Sequence, residues 1–191
     1  MSALDLIRAS LPPEAVDIKL NLGSVLSGGP LTRAQRWGVA LAAAAAARSA
    51  RLRDAIAAEA RRELSGDADK VIEDALAAAV LMGMNNVYYR FRHMIGKPSY
   101  SERPARLRMN RLVKPAASKL DFELFSLAVS SIAGCESCVR AHEQAVLEGG
   151  LSEEHVHDAV RIAAVINAAA VALELSAPAA AEAATASMAG S

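Results

Sequence analysis

A chain of 191 residues that is 53% hydrophobic and 22% charged can bury a core, which excludes a disordered protein. Twenty-one basic residues balance twenty-one acidic ones, so whole-protein charge offers no grip on nucleic acid. Aromatic residues make up only 4%, alanine dominates the apolar share, and β-branched runs of strand type are missing, so the composition points to an all-α protein.

The first segment, "MSALDLIRASLPPEAVDIKL", has acids early and no long apolar core, so no secretory leader is expected. The prolines of "LPPE" suit a helix start, and "LSGGPLTRAQ" reads as a turn followed by an N-cap at Thr32. Helical pattern then runs from about Thr32 to Leu64, read as two helices. Its alanine-rich part, "WGVALAAAAAARSARLR", breaks at Arg48, short of a membrane span. "SGDAD" at 65–69 interrupts the pattern, and a further helix is expected over 68–92. Prolines 98, 104 and 115 predict a loop or short helical pieces over 96–117. Helices resume at Leu120, with interruptions at Gly134 and at "EGGLSEE" (148–154), and residues 177–191 read as a flexible tail. The expectation is a single all-helical domain over 1–176, cytoplasmic, with no membrane span.

A shift of 84 residues lays "GDADKVIEDALAAAVLMG" (66–83) on "GLSEEHVHDAVRIAAVIN" (150–167). Gly66/Gly150, Asp74/Asp158, Ala75/Ala159 and Ala79/Ala163 are identical. The shift predicts two degenerate repeat halves, approximately 32–95 and 116–176. Arg51, Asp54 and Ala58 then occupy the places of Cys135, Cys138 and His142, making the first half a packing copy of the second.

Both cysteines lie in "GCESCVRAHE" (134–143). Gly134 ends one helix and leaves Cys135 near the start of the next. At about 100° per residue, Cys138 falls roughly 60° and His142 about 20° from Cys135, so the three share a face. Free N–H groups and the positive end of the helix dipole favour a thiolate there, and a histidine one turn on can exchange its proton. Three readings stay open on the residues alone. One is a dithiol that cycles through a disulfide. Another is a zinc site completed by His155 or His157, although these begin a different helix and no second CxxC is present. The third is two buried structural cysteines.

"FELFSLAVSSIAGCESCVRAHE" (122–143) resembles the signature of the alkyl hydroperoxide reductase D family, in the carboxymuconolactone decarboxylase-like group. "DIKLNL" (17–22), "RWGVALAAAAA" (36–46), "MGMNNVYYR" (82–90) and "LRMN" (107–110) resemble the same family in the same order. The resemblance implies an all-helical subunit of two repeats, assembled as a homotrimer. It implies Cys135 and Cys138 as the redox pair. Cys138 would be the more buried, peroxide-facing thiol, and Cys135 the outer, resolving one. His142 would relay protons to Cys138, and Glu123 would orient that histidine. No cofactor is expected to be bound. Electrons would come from a dihydrolipoyl group on a lipoylated 2-oxoacid dehydrogenase component. They would pass to a peroxiredoxin of the alkyl hydroperoxide reductase C type, or directly to organic hydroperoxides. A lactone decarboxylase of the same fold, which would not need the CxxC pair, and a zinc-binding interaction module are the alternatives.

Some members carry a second histidine directly before the second cysteine, where this chain has Ser137, which cannot hold a positive charge. Glu136 is a like charge for any thiolate nearby. Eight basic residues (Arg90, Arg92, Lys97, Arg103, Arg106, Arg108, Arg111, Lys114) face one acid, Glu102, between 90 and 114. That stretch reads either as a solvated, partly salt-bridged loop or as a docking surface for an acidic partner. Tyr88, Tyr89 and Phe91 read as core or subunit contacts, and Met82, Met84 and Met94 as packing.

Overall fold

The computed structural model describes residues 1–176, and the tail expected at 177–191 lies outside them. Ten α-helices and one short 3₁₀ turn (Pro13–Ala15) make up the described chain, with no strand among these residues. In order they are α1 (Ala3–Ser10), α2 (Val16–Ser27), α3 (Arg33–Ala46), α4 (Ala50–Glu63), α5 (Ala68–Ile95), α6 (Pro98–Ser101), α7 (Asn110–Val113), α8 (Lys119–Ala133), α9 (Glu136–Glu148) and α10 (Glu153–Ser176).

Local chemistry sets most of the boundaries. Thr32 caps α3 through a capping box with Gln35, and Ser118 caps α8 by accepting from the Asp121 N–H. The expected helical stretch over 32–64 is two helices, parted at Ala47–Ser49. The helix predicted to stop near 92 runs on to Ile95, where Gly96 closes it in the left-handed conformation. The proline-bearing segment holds two single-turn helices, α6 and α7. The N-terminal α1, which the sequence did not suggest, starts at a Ser2–Asp5 capping box and packs on α4.

Helix α3 is the centre of the molecule. Every residue from Gln35 to Ala44 is buried, and the helix packs against α4, α5, α8 and α10. From Gly38 on, a helix surrounded on all sides must be apolar all round and thin, which is why alanine dominates it. The buried Gln35 and Arg36 of its first turn bond Asp121 and the Leu31 carbonyl. At Gly38 the approach is closest: an added Cβ would lie 2.1 Å from Cζ of Phe125 on α8. Phe122, Phe125, Leu41, Leu127, Ile162 and Ile166 complete the core around it. Each large side chain so buried stabilises the fold by about 1.5–3 kcal/mol relative to exposure. By length and composition α10 is apolar enough to cross a membrane, but it packs against α2, α3 and α8 with Ile162 and Ile166 fully buried.

The halves expected at 32–95 and 116–176 follow one order. A capped helix (α3, α8) is followed by a second (α4, α9) and a long third (α5, α10). Gly66 and Gly150, at φ +81° and +97°, precede the two long helices. Asp74 and Asp158 are both buried. The halves meet at the caps, where the Gln35 amide donates to Asp121 Oδ1 at 2.9 Å. One expectation is corrected. Arg51, Asp54 and Ala58 lie on the exposed face of α4, so they do not copy the buried packing of Cys135, Cys138 and His142. The charged Arg51 and Asp54 leave that face to water.

Candidate active site

Helices α8 and α9 run side by side, joined by a turn at Gly134 and Cys135. Gly134 sits at φ +66°, a left-handed backbone that a side chain would strain, and the turn closes with the Cys135 N–H donating to Ser130 O. Helix α5 braces this turn twice. The Arg90 guanidinium donates to the Ala133 carbonyl, and the Ser130 hydroxyl donates to Asn86 Oδ1 at 3.0 Å.

Cys135 is the N-cap residue of α9 and Cys138 lies in its first turn. The two are joined as a disulfide, with Cα atoms 5.3 Å apart. The resemblance places Cys135 outermost; instead both are below the surface of the subunit, Cys135 at 0% and Cys138 at 6% exposure. The cap position accounts for this. The extended backbone of Cys135 follows the left-handed Gly134 and turns its side chain inward, under the α8–α9 turn. Its Sγ is 3.7 Å from the Ser137 hydroxyl, so the serine that replaces a histidine meets Cys135 rather than Cys138.

Behind the disulfide, His142 Nδ1 is 2.7 Å from Glu123 Oε2, and both side chains are about nine-tenths buried. Glu123 and His142 face each other across the α8–α9 contact, which positions the pair by packing as well as by charge. The other ring nitrogen, Nε2, lies 3.2 Å from the sulfur of Met82 on α5. In this disulfide state the His142 ring meets Glu123 and Met82, and neither nitrogen bonds a cysteine sulfur. Met82 is the residue that sequence reasoning passed over as packing. It is fully buried, and the "MGMNN" motif was the only signal that could have marked it.

The charges around the site are compensated. Glu136 is exposed; the hydrogen bond and charge of Arg140, aided by His93, hold its carboxyl below the usual range. Glu136 is thus paired away from the sulfurs. The basic stretch divides in two. Arg90 and Arg92 donate to the carbonyls of Ala133 and Ser101, and Arg111 pairs with Glu73 and Asp74. Lys97, Arg103, Arg106, Arg108 and Lys114 form no salt bridge among the described residues. Of the aromatic residues before it, Phe91 is exposed and meets Tyr100 edge-on, while Tyr88 and Tyr89 sit under Arg92 at 5.6 and 5.7 Å. Met94, expected as packing, is 75% exposed, because it falls on the outer face of α5 beyond the core. Among the described residues no group of three or more His, Cys, Asp or Glu is arranged for a metal ion, and His155 instead meets the Ser152 hydroxyl at 2.8 Å.

An all-α bundle that presents a CxxC disulfide at a helix N-terminus, backed by a buried carboxylate–imidazole pair, defines a class of helical dithiol proteins. Residues 98–183 match the model of the carboxymuconolactone decarboxylase family. The chain is 71% identical over 186 residues to a protein of Anaeromyxobacter dehalogenans named alkyl hydroperoxide reductase AhpD, covering 97% of this chain and 98% of that one. Proteins of the same name from Rhodospirillum centenum (48%; 90% and 91% covered) and Brucella canis (44%; 90% and 97% covered) are also similar, each over 172 residues. The chain belongs to the alkyl hydroperoxide reductase D group of the carboxymuconolactone decarboxylase family.

Proposed function

We propose that this chain is an antioxidant thiol–disulfide oxidoreductase whose Cys135–Cys138 pair carries reducing equivalents to peroxides and to a peroxiredoxin of the alkyl hydroperoxide reductase C type. The observation that carries this reading is the joined cysteines at the start of α9, with the Glu123–His142 pair one turn behind them.

In the reduced pair the positive end of α9 favours a thiolate in its first turn. Cys138 attacks the terminal oxygen of a hydroperoxide. The O–O bond breaks, the alcohol leaves with a proton, and Cys138 becomes a sulfenic acid. Cys135 then attacks that sulfur, the disulfide forms, and water leaves. Two electrons and two protons have passed from the dithiol to the peroxide. With a peroxiredoxin disulfide as acceptor, the same dithiol is oxidised by exchange through a mixed disulfide. Return to the dithiol uses a dihydrolipoyl group on a lipoylated 2-oxoacid dehydrogenase component, which leaves as the cyclic disulfide. His142 supplies the proton that each departing sulfur or oxygen needs. It does so by turning from Met82 toward the sulfurs, with Glu123 holding Nδ1 throughout. Ser137 leaves this work to the Glu123–His142 pair alone.

The burial of both sulfurs calls for local opening, or a narrow thiol-bearing arm, before exchange. A dihydrolipoyl arm is narrow enough. The unpaired cations Lys97, Arg103, Arg106, Arg108 and Lys114 support docking of its carrier. The exposed apolar residues Phe91, Met94 and Ile95 at the end of α5 support assembly as a homotrimer.

Cys135→Ser and Cys138→Ser each test the reading through lipoamide-dependent reduction of an alkyl hydroperoxide. Both are expected to fall to the rate without protein, and full activity in either overturns the dithiol mechanism. Arg103→Glu with Arg106→Glu is expected to slow reduction by carrier-bound lipoyl while leaving free dihydrolipoamide unaffected.

A further inference from the structure

A groove of about 940 Å³ opens between α3, α4, α5 and α8, within the size range of small-molecule sites. Its walls are apolar, built from residues such as Ala44, Leu76, Val80, Val129 and Ile132. Met82 also lines it, so the side chain that touches His142 is part of the groove wall. The ionic residues of the lining are Arg48, Arg53 and Arg90, with no carboxylate among them. Arg90 is engaged with the Ala133 carbonyl, and Arg53 shares its charge with exposed Asp54. Arg48 forms no salt bridge among the described residues and is exposed.

A second, independent feature points inward. Asn86 lines the groove at only 2% exposure, and its Oδ1 accepts from Ser130. Its Nδ2 has no partner among the described residues. A buried amide donor left empty is costly, so a ligand acceptor that reaches it by a small shift of the groove wall would recover free energy that the folded chain forgoes.

We propose that this groove binds an alkyl carboxylate, its chain along the alanine and valine walls and its head among the arginines. Charge selects the class: an aliphatic cation meets Arg48 and Arg90, neither paired with a carboxylate, while a neutral alkane leaves them and Asn86 unanswered. The groove is a binding site beside the proposed reaction centre: Met82 joins its wall to His142, and neither cysteine lines it.

The test uses the full chain in its disulfide form, so that no turnover is involved. Dodecanoate, below its micellar concentration, is titrated by calorimetry, with dodecylammonium and acetate as comparators. Saturable binding of one dodecanoate per chain is expected, with far weaker binding of either comparator. Arg48→Asn is expected to weaken it about tenfold, as loss of a charge-assisted hydrogen bond requires. Asparagine suits this site because Arg48 sits at φ +59°, where it is better tolerated than most residues. Arg53→Glu is expected to move preference toward dodecylammonium, a gain that a misfolded variant cannot produce. No saturable binding, equal binding of dodecylammonium by the unaltered chain, or indifference to both substitutions overturns the proposal. So does sedimentation showing that a second copy covers the groove and that dodecanoate binds only after Val80→Glu separates the copies. A chain that reduces hydroperoxides but binds no dodecanoate overturns the groove and spares the function. One that binds dodecanoate without reducing hydroperoxides overturns the function alone.

Discussion

Glu123 matters because of the single atom it faces. Its Oε2 holds His142 Nδ1 at 2.7 Å inside the subunit, where water cannot replace it. Glu123→Gln keeps the shape and removes the charge, so the His142 ring loses the charged partner that holds Nδ1 in place. A fall of about 10²-fold in lipoamide-dependent turnover is expected, with the thermal midpoint little changed. Asp121 makes a different prediction. Burial pushes its carboxyl above the ordinary value of 3.8 and the charge of Asp74 adds to this, while hydrogen bonds from Gln35 and Ser118 oppose it. A carboxyl raised on folding favours the folded state below its unfolded pKa, and that advantage is lost as pH rises through the folded pKa. Asp121→Asn still accepts from Gln35. Its thermal midpoint is expected to exceed that of the unaltered chain at pH 7 and to converge with it near pH 3.

Among the elements, α3 and α8 set the tolerance of the core. Phe125 lies over Gly38 so closely that even a methyl group must displace the ring. Gly38→Ala gains helix propensity but overpacks the contact, and denaturant unfolding is expected to show a loss of about 1–3 kcal/mol. The entry of α8 is held from outside the helix. Asp74 accepts from the Ala116 and Ala117 N–H groups at 2.7 Å each and from Arg111 at 2.9 Å. A fully buried aspartate on α5 thereby fixes where the helix bearing Glu123 begins. Cys135, at the other end of that helix, inherits its position from the Gly134 turn and from the two α5 side chains that brace it.

For the whole molecule, the long α5 joins three roles. Its middle carries Met82 and the braces of the α8–α9 turn, one face walls the arginine-lined groove, and its end leaves Phe91, Met94 and Ile95 exposed. Apolar side chains exposed together at a helix end are a surface for association. Sedimentation equilibrium is expected to give a trimer, and Met94→Glu to shift it toward smaller species. A monomer at all concentrations would remove the assembly from the proposed function.

What the sequence determined by itself is what acts over four residues or fewer. Alanine content decided the fold class, and Thr32, Gly134 and the prolines marked helix ends through caps and backbone conformation. The CxxC spacing put both sulfurs at one helix start. The position of Glu123 could be named only by likeness to a family, since one glutamate on a helix is indistinguishable from a solvated one. The tertiary structure decided the contacts that cross the chain. Glu123 meets His142 across 19 residues, and Met82 meets it across 60. It also decided that Cys135 is buried, where the family resemblance implied an outer thiol, and that Met94, read as packing, is exposed. Caps and periodicity report a residue's neighbours along its own helix, whereas burial and ring contacts depend on which helix packs opposite, and nothing within four residues specifies that.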